Sequence, residues 1–397
     1  MRKNRIALAC QGGGSNGAFT YGVLREILQD MAKRSSANAN NAYEIVSISG
    51  TSAGALNAFA AWYGLAEKHG LAGSSEEAIR TLDRLWRTFQ VTTASEKLFN
   101  NMLVQALRAE SRGLPTVRMS PYSFIYELLL SRLGLVGLRP EFYDFAALLE
   151  AVAPDFQAID QGRTPTRLFV GAVDVLAGTF EAFDSWAPPE SHRNISLAAI
   201  RASGTLPEVR KAEPISDITG QDGVVRDGLF WDGLFSQNPP VREFVSGFAA
   251  DKRPDEIWVI RINPQTRATP PTCPDEIEDR RNELSGNLSL NQELRFLQDV
   301  NDWCATYGDF AANHKRIVIR TIKMSRSVSD SLDLASKFDR APEFIARLRK
   351  DGEQQAASWL ARWPDAVGTW PADAIYGPDE VANTTEPLKE KQLSARG

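Results

Sequence analysis

Ser52 stands at the centre of Gly50-Thr51-Ser52-Ala53-Gly54, the G-x-S-x-G spacing in which a serine hydroxyl attacks an ester carbonyl. The flanking glycines permit a tight, strained turn that leaves Oγ uncrowded, and the Ala53 N–H, opening the next helix, can face a developing oxyanion. A serine hydroxyl needs a base to take its proton. The chain of 397 residues holds three histidines, His69, His192 and His314, so the identity of that base is the first question.

A Ser-His-Asp triad in α/β-hydrolase order requires a late histidine, and His314 is the one in that position. It lies in Asn313-His314-Lys315-Arg316 before a β-rich run, a setting for a solvated loop side chain. His69 follows Glu67-Lys68 at a helix end and His192 sits in a polar loop after Pro188-Pro189; neither has a catalytic neighbourhood. The alternative base is a carboxylate. Asp232, in Phe230-Trp231-Asp232-Gly233-Leu234 with Asn238-Pro239-Pro240 downstream, ends a β-rich run at a tight turn. An ordinary aspartate titrates near about 3.9, a poor match for serine, so this use demands partial desolvation and a close hydrogen bond. Trp231 and Phe235 are the expected source of that environment. Asp227, in Arg226-Asp227-Gly228, has a basic neighbour and no Asn-Pro follow-on, and reads as a turn residue.

The oxyanion needs donors, and Gly12-Gly13-Gly14-Ser15-Asn16-Gly17 supplies a glycine loop between a strand and a helix. The spacing Gly12-x-Gly14-x-x-Gly17 is formally that of a dinucleotide loop, which would want an acidic residue ending the second strand. That strand ends in Val46-Ser47-Ile48-Ser49, with Glu44 ahead of it and Asp30 back in or just after the helix. Asn16-Gly17-Ala18 also lacks the Gly-Lys-Ser/Thr of a P-loop. What remains is a row of backbone N–H groups near a helix N-terminus, suited to an anion and equally to a transient oxyanion.

Two such turns meet only if parallel neighbouring strands deliver them to one sheet edge, where open α/β sheets place ligand sites. The spacing predicts a strand over 5–11, then a helix with Phe19, Val23, Leu24, Ile27 and Leu28 on one face, then a strand over 43–49 and a small-residue helix over 53–61. Strand, sharp turn and helix, twice over, predict an α/β fold with parallel strands and crossover helices. Ser74 with Glu77 forms a capping box for a helix over 76–89. Runs 166–175 and 179–184 are a hairpin through Leu176-Ala177-Gly178, 195–203 a short helix, 224–231, 256–263 and 316–322 further strands, and 274–307 a helix. Residues 97–150 read as helical; Phe124-Ile125-Tyr126 and Leu128-Leu129-Leu130 are expected in a core helix, with a lipid-facing lid as the alternative. Residues 1–363 are expected to form a single α/β domain, with a motif-bearing core over about 5–245 and C-terminal strands and helices over 246–363. Residues 364–397, rich in Pro, Gly and charge, are expected as a partly disordered polar tail. There is no internal repeat.

Composition narrows the classes. A net charge of -5 from 45 basic and 50 acidic residues, without a basic block, argues against nucleic acid as a partner. Cys10, Cys273 and Cys304 are odd in number, far apart and not at zinc-ligand spacing. The N-terminal apolar run, residues 6–10, is too short for a signal peptide, and no window approaches the ~18 apolar residues of a spanning helix. The expectation is a cytoplasmic protein that meets a membrane only peripherally; export by a signal-independent route would read the same. Nothing sets an oligomeric state.

Taken together, the motifs resemble the patatin-like phospholipase family. Gly12 to Gly17 resembles its oxyanion loop, Gly50 to Gly54 its nucleophile elbow, and Asp232-Gly233 with Asn238 and Pro239 its aspartate block. LFVGAVDVLAGTFEAFDS and LAAIRASGTLPEV resemble its central strands and its Ala-Ser-x-x-Leu-Pro segment. The resemblance implies a three-layer sandwich with a mostly parallel central sheet flanked by helices. It implies hydrolysis of lipid acyl esters (phospholipid, galactolipid or neutral lipid) without metal or cofactor, by Ser52 as nucleophile and Asp232 as base, with the Gly13, Gly14 and Ala53 N–H groups as oxyanion donors. Two positions depart from the pattern: Asn16 stands where many members carry Arg or Lys, and Leu234 where Gly or Ala is usual. Two other readings stand beside it, a triad esterase using His314 and a non-catalytic lipid- or nucleotide-binding module with the same fold.

Overall fold

The computed structural model describes residues 3–110, 120–135 and 144–370, apart from 208, 221–222, 247, 249, 268–269 and 366. Its strands in chain order are β1 (Asn4–Cys10), β2 (Tyr43–Gly50), β3 (Arg167–Asp174), β4 (Thr179–Asp184), β5 (Glu213–Thr219), β6 (Val225–Asp232), β7 (Glu256–Arg261) and β8 (Val318–Lys323). The helices are α1 (Ala18–Ser36), α2 (Ala53–Leu65), α3 (Ser75–Phe89), α4 (Ala94–Glu110), α5 (Phe124–Leu135), α6 (Phe145–Val152), α7 (Leu197–Ser203), α8 (Pro274–Thr306), α9 (Gly308–Asn313), α10 (Arg326–Ser329) and α11 (Pro342–Arg362).

Strand β1 explains the layering. Its side chains alternate between two cores, Ile6, Leu8 and Cys10 facing one and Ala7 and Ala9 the other. A strand apolar on both faces belongs in the middle of a sheet with helices on both sides. The first core is filled from α1, α2, α3 and α11 by such residues as Phe19, Trp62, Leu85 and Trp359. The second is filled from α8 by Leu290, Leu294 and Leu297. Each fully buried side chain of this size stabilises the fold by about 1.5–3 kcal/mol.

One eight-stranded sheet runs β5-β6-β3-β2-β1-β7-β8, with β4 also paired to β3. Strands β3, β2, β1, β7 and β8 are parallel, whereas β4 and β6 run antiparallel to β3, and β5 antiparallel to β6. The sheet is therefore mixed and flanked by helices, the expected α/β class. On β3, residues 167–170 pair with β2 and residues 172–174 with β6, while β4 pairs along 169–174. A residue has one partner on each side, so β2 and β6 lie on the same side of β3, end to end. One runs parallel to β3 and the other antiparallel, so their carboxyl ends converge over Gly171.

The structure corrects one expectation and adds elements to others. α5 has no buried residue: Phe124 is 75% exposed and Ile125 67%, so it is not a core helix. Past residue 363, Trp370 is buried and donates its backbone N–H to Ile319 O at 2.9 Å, and Arg320 donates to Val367 O. The chain there covers the outer edge of β8, which would otherwise offer unpaired backbone groups. Strand β5 is not among the expected elements, and helix α11 falls within the expected C-terminal strands and helices without a range of its own there. Residues 111–119 and 136–143 of the expected helical stretch, and 371–397 of the expected tail, lie outside the described residues.

Candidate active site

Ser52 occupies the sharp turn between β2 and α2, with φ 57° and ψ -130°. For a residue with a Cβ this is a strained conformation, of the kind that costs about 1–3 kcal/mol and persists only where surroundings enforce it. They do so here at close range. A Cβ on Gly54 would stand 2.0 Å from Cys10 O, and one on Gly50 2.3 Å from Gly54 O. Although Ser52 is the N-cap residue of α2, its hydroxyl makes no capping hydrogen bond, unlike Ser74 and Ser196, which cap α3 and α7. The side chain is 9% exposed. The N–H groups of Gly54 and Ala55 turn back onto Thr51 O and Ser52 O. That of Ala53, first in the helix, belongs to the amides a helix start leaves without an intrahelical acceptor.

The glycine loop leaves β1 beside this turn. A Cβ on Gly12 would stand 2.6 Å from the Ser52 Cβ, so only glycine permits the approach. Gly12 N–H donates to Asn238 Oδ1 at 2.6 Å, and its carbonyl accepts from Asn238 Nδ2 and Asn263 Nδ2. The Gly12 amide is thus occupied, and Gly13 and Gly14 are the loop residues left to offer donors. Gly14 has φ +58°, and a Cβ there would meet Lys337 O at 2.3 Å. The 3-10 turn Gly14–Gly17 is fastened to α2 by Asn57, whose Nδ2 donates to Gly17 O and Ala53 O while its Oδ1 accepts from Trp86 Nε1. Gln11, fully buried, accepts from the N–H groups of Ile262 and Asn263 and donates to Asn287 Oδ1. It ties the loop to β7 and α8. Asn16 is buried and accepts a hydrogen bond from Ser336 Oγ; its side chain serves packing between the loop and the segment after β8.

Asp232 ends β6, opposite Ala172 on β3, while Gly50 ends β2 opposite Val170. The two candidate residues are therefore brought together by the convergence over Gly171. A Cβ on Gly233 would meet Gly171 O at 2.6 Å and Thr51 Cγ2 at 3.1 Å, and Thr51 Oγ1 donates to Gln237 O at 2.8 Å. The serine turn and the aspartate turn are in contact. Asp232 is fully buried, its Oδ1 accepts from Leu234 N–H at 2.9 Å, and its own N–H donates to Thr205 O at 2.8 Å. Leu234, the departure from the expected small residue, thus contributes its backbone to the carboxylate. Trp231 is the next residue along the strand and points to the opposite face, where it packs on Phe235 with ring centroids 6.3 Å apart. The Trp231 ring, expected beside Asp232, therefore lies on the other face of β6.

None of the three histidines approaches this edge. His314 precedes β8, His69 follows α2, and His192 lies beside Arg193, whose carbonyl accepts from Asp184 N–H at the far end of β4. All three therefore lie at the amino-terminal edge of the parallel strands, a strand length of roughly 20 Å from the turns. His314 is stacked on Phe310 with centroids 3.8 Å apart and bonds Phe310 O through Nδ1. Asp227 is exposed within β6, where its carboxylate accepts from Asp217 N–H; it is a strand residue rather than a turn residue. Among the described residues no cluster of three or more His, Cys, Asp or Glu could hold a metal ion.

Sequence reasoning missed Asn57, Asn263 and Gln11, and singled out Ser203 only as part of the Ala-Ser-x-x-Leu-Pro segment, with no role. The Ser52 N–H donates to Ser203 O at 3.1 Å and to Ser203 Oγ at 3.0 Å. Ser203 and Asn263 are linked by no local spacing to the motifs they support, while Gln11 and Asn57 lie beside theirs but make their key bonds to distant elements.

A family model described as patatin-like phospholipase matches residues 8–245, which spans the glycine loop, both turns and α7. No curated protein matches the chain. Among solved structures, VipD from Legionella pneumophila aligns with a TM-score of 0.38 and 13% identity over 90% of this chain. The chain spans 66% of the length of that structure.

Proposed function

The chain belongs to the patatin-like phospholipase family, and from that premise we propose that it is a lipid acyl hydrolase working through a Ser52–Asp232 dyad. The observation that carries the reading is the Ser52 turn: a strained residue whose hydroxyl is not used to cap its helix, in contact with a turn that buries a carboxylate. Ser52 Oγ attacks the ester carbonyl while Asp232 Oδ2 takes the hydroxyl proton. The tetrahedral oxyanion is met by the N–H groups of Gly13, Gly14 and Ala53. Collapse expels the alcohol, which takes the proton from Asp232 and leaves an acyl-Ser52 ester. Water, giving a proton to Asp232, then releases the fatty acid and restores the serine. The substrate is a lipid acyl ester met at a peripheral membrane surface, and no residue role calls for a metal or cofactor. The placement of His314 on the opposite edge weighs against a triad.

Ser52→Ala and Asp232→Asn, assayed on phospholipid, galactolipid and triacylglycerol, should each lose about 10³-fold or more in kcat. Retention of hydrolysis by either pure variant would overturn the dyad. A fluorophosphonate should label wild type at Ser52; an unlabelled, inactive protein would instead favour a non-catalytic lipid-binding module.

A further inference from the structure

The end of α7 and the two residues after it hold both halves of the proposed dyad. A helix C-terminus leaves carbonyl oxygens without intrahelical donors, and at the end of α7 these accept from the site. Ser203 O and Ser203 Oγ both accept the Ser52 N–H, at 3.1 and 3.0 Å. Two residues on, Thr205 O accepts the Asp232 N–H at 2.8 Å. Ser203 is fully buried and Thr205 nearly so. The turn itself is stiffened by Thr205 N–H to Ala202 O, Gly204 N–H to Arg201 O, and Thr205 Oγ1 to Arg201 O.

We propose that Ser203 is a positioning residue for Ser52, its hydroxyl holding the Ser52 amide so that the strained φ is kept and Oγ stays aimed at the oxyanion donors and Asp232. The inference rests on Ser52 being the nucleophile. Its physical basis is over-determination: a strained residue relaxes unless more than one contact opposes relaxation, and this amide has two acceptors on one residue. The carbonyl at Ser203 also restrains the backbone and survives substitution. The hydroxyl alone adds the second acceptor, and its loss lets the Thr51–Ser52 peptide rotate. Ser203 touches neither substrate nor reacting atoms, so its removal should alter how well the nucleophile is aimed, not how substrate is held.

The test is Ser203→Ala, with kcat and KM on p-nitrophenyl butyrate, the rate constant for fluorophosphonate labelling of Ser52, and Tm. We expect kcat and the labelling rate to fall together by about tenfold, with KM within twofold and Tm within a few degrees of wild type. Unchanged kcat and labelling would overturn the proposal, as would a loss of activity that follows a loss of folded protein. Should Ser203→Ala not accumulate, Ser203→Cys replaces the hydroxyl with a weaker acceptor of similar volume and is read by the same two rates at matched Tm. Loss of hydrolysis in Ser52→Ala together with full activity in Ser203→Ala would sink this inference alone; hydrolysis retained in Ser52→Ala would sink the dyad beneath it.

Discussion

At the scale of single residues, the site depends on amide side chains as much as on its serine and aspartate. Asn238 grips Gly12 through two hydrogen bonds, accepting the N–H at 2.6 Å and donating to the carbonyl at 3.2 Å. Asn238→Ala leaves the buried Gly12 N–H without that acceptor, a cost of about 1–3 kcal/mol, and frees the loop that presents the Gly13 and Gly14 amides. The expected result is a drop in denaturant midpoint together with a loss of about tenfold or more in kcat on a soluble ester; a variant with wild-type values of both would refute the role. The proposed pair could be picked out in the sequence, because turns that must approach other backbone closely need glycine and leave a local signature around Ser52 and Asp232. Their supports could not. Ser203 lies 151 residues from Ser52 and Asn263 251 residues from Gly12, and a buried amide that bonds a distant backbone looks the same in sequence as one in any loop.

At the scale of elements, α8 is both a core helix and a brace behind the aspartate block. Glu293 on α8 accepts the N–H groups of Val241 and Arg242, at 2.9 and 3.2 Å, just after Asn238. Burial and the nearby Glu243 carboxyl, itself raised by burial, hold the Glu293 pKa up to about 7, against the opposing pull of these two amides and the Arg242 guanidinium. The folded protein therefore keeps a proton that the unfolded chain releases near its ordinary value of 4.5. This group favours folding at low pH, and its contribution is lost as pH rises from about 4.5 to about 7. Glu293→Gln cannot ionise and keeps an acceptor for the two amides. Its Tm should exceed that of wild type at pH 8, by the equivalent of about 1–2 kcal/mol, and approach it at pH 5; equal melting at pH 8 would contradict the assignment. Among the elements, periodic helices and buried strands such as α1, α3, β1 and β7 were readable because one face or both are apolar. β5 was not, since as a sheet-edge strand it buries only Ile218. α5 misled for the opposite reason: its composition is apolar all round, yet the fold leaves it on the surface.

At the scale of the whole molecule, the segment after residue 245 completes the layers around the site. β7 pairs with β1 along Ile6–Cys10, α8 fills the second core, and α11 packs so tightly on α1 that Cβ atoms on Gly22 and Gly352 would stand 2.0 Å from Arg349 O and 2.2 Å from Phe19 O. A fragment of residues 1–245, the part that carries all the recognised motifs, would expose both cores. It should lack a cooperative thermal transition by circular dichroism, and a fragment that melts cooperatively would show that the motif-bearing part folds alone. The third strand sets a further condition on the chemistry. It acts as a ruler against which the ends of β2 and β6 are measured, since neither of those strands pairs with the other. Side chains alternate along β6, so a slip of one residue against the ruler would bring the indole of Trp231 to the junction and turn the carboxylate away. Single-residue insertions and deletions within β3 or β6 should therefore misalign the proposed dyad even where the layers still assemble, whereas length changes in the connection between β5 and β6 should leave that alignment untouched.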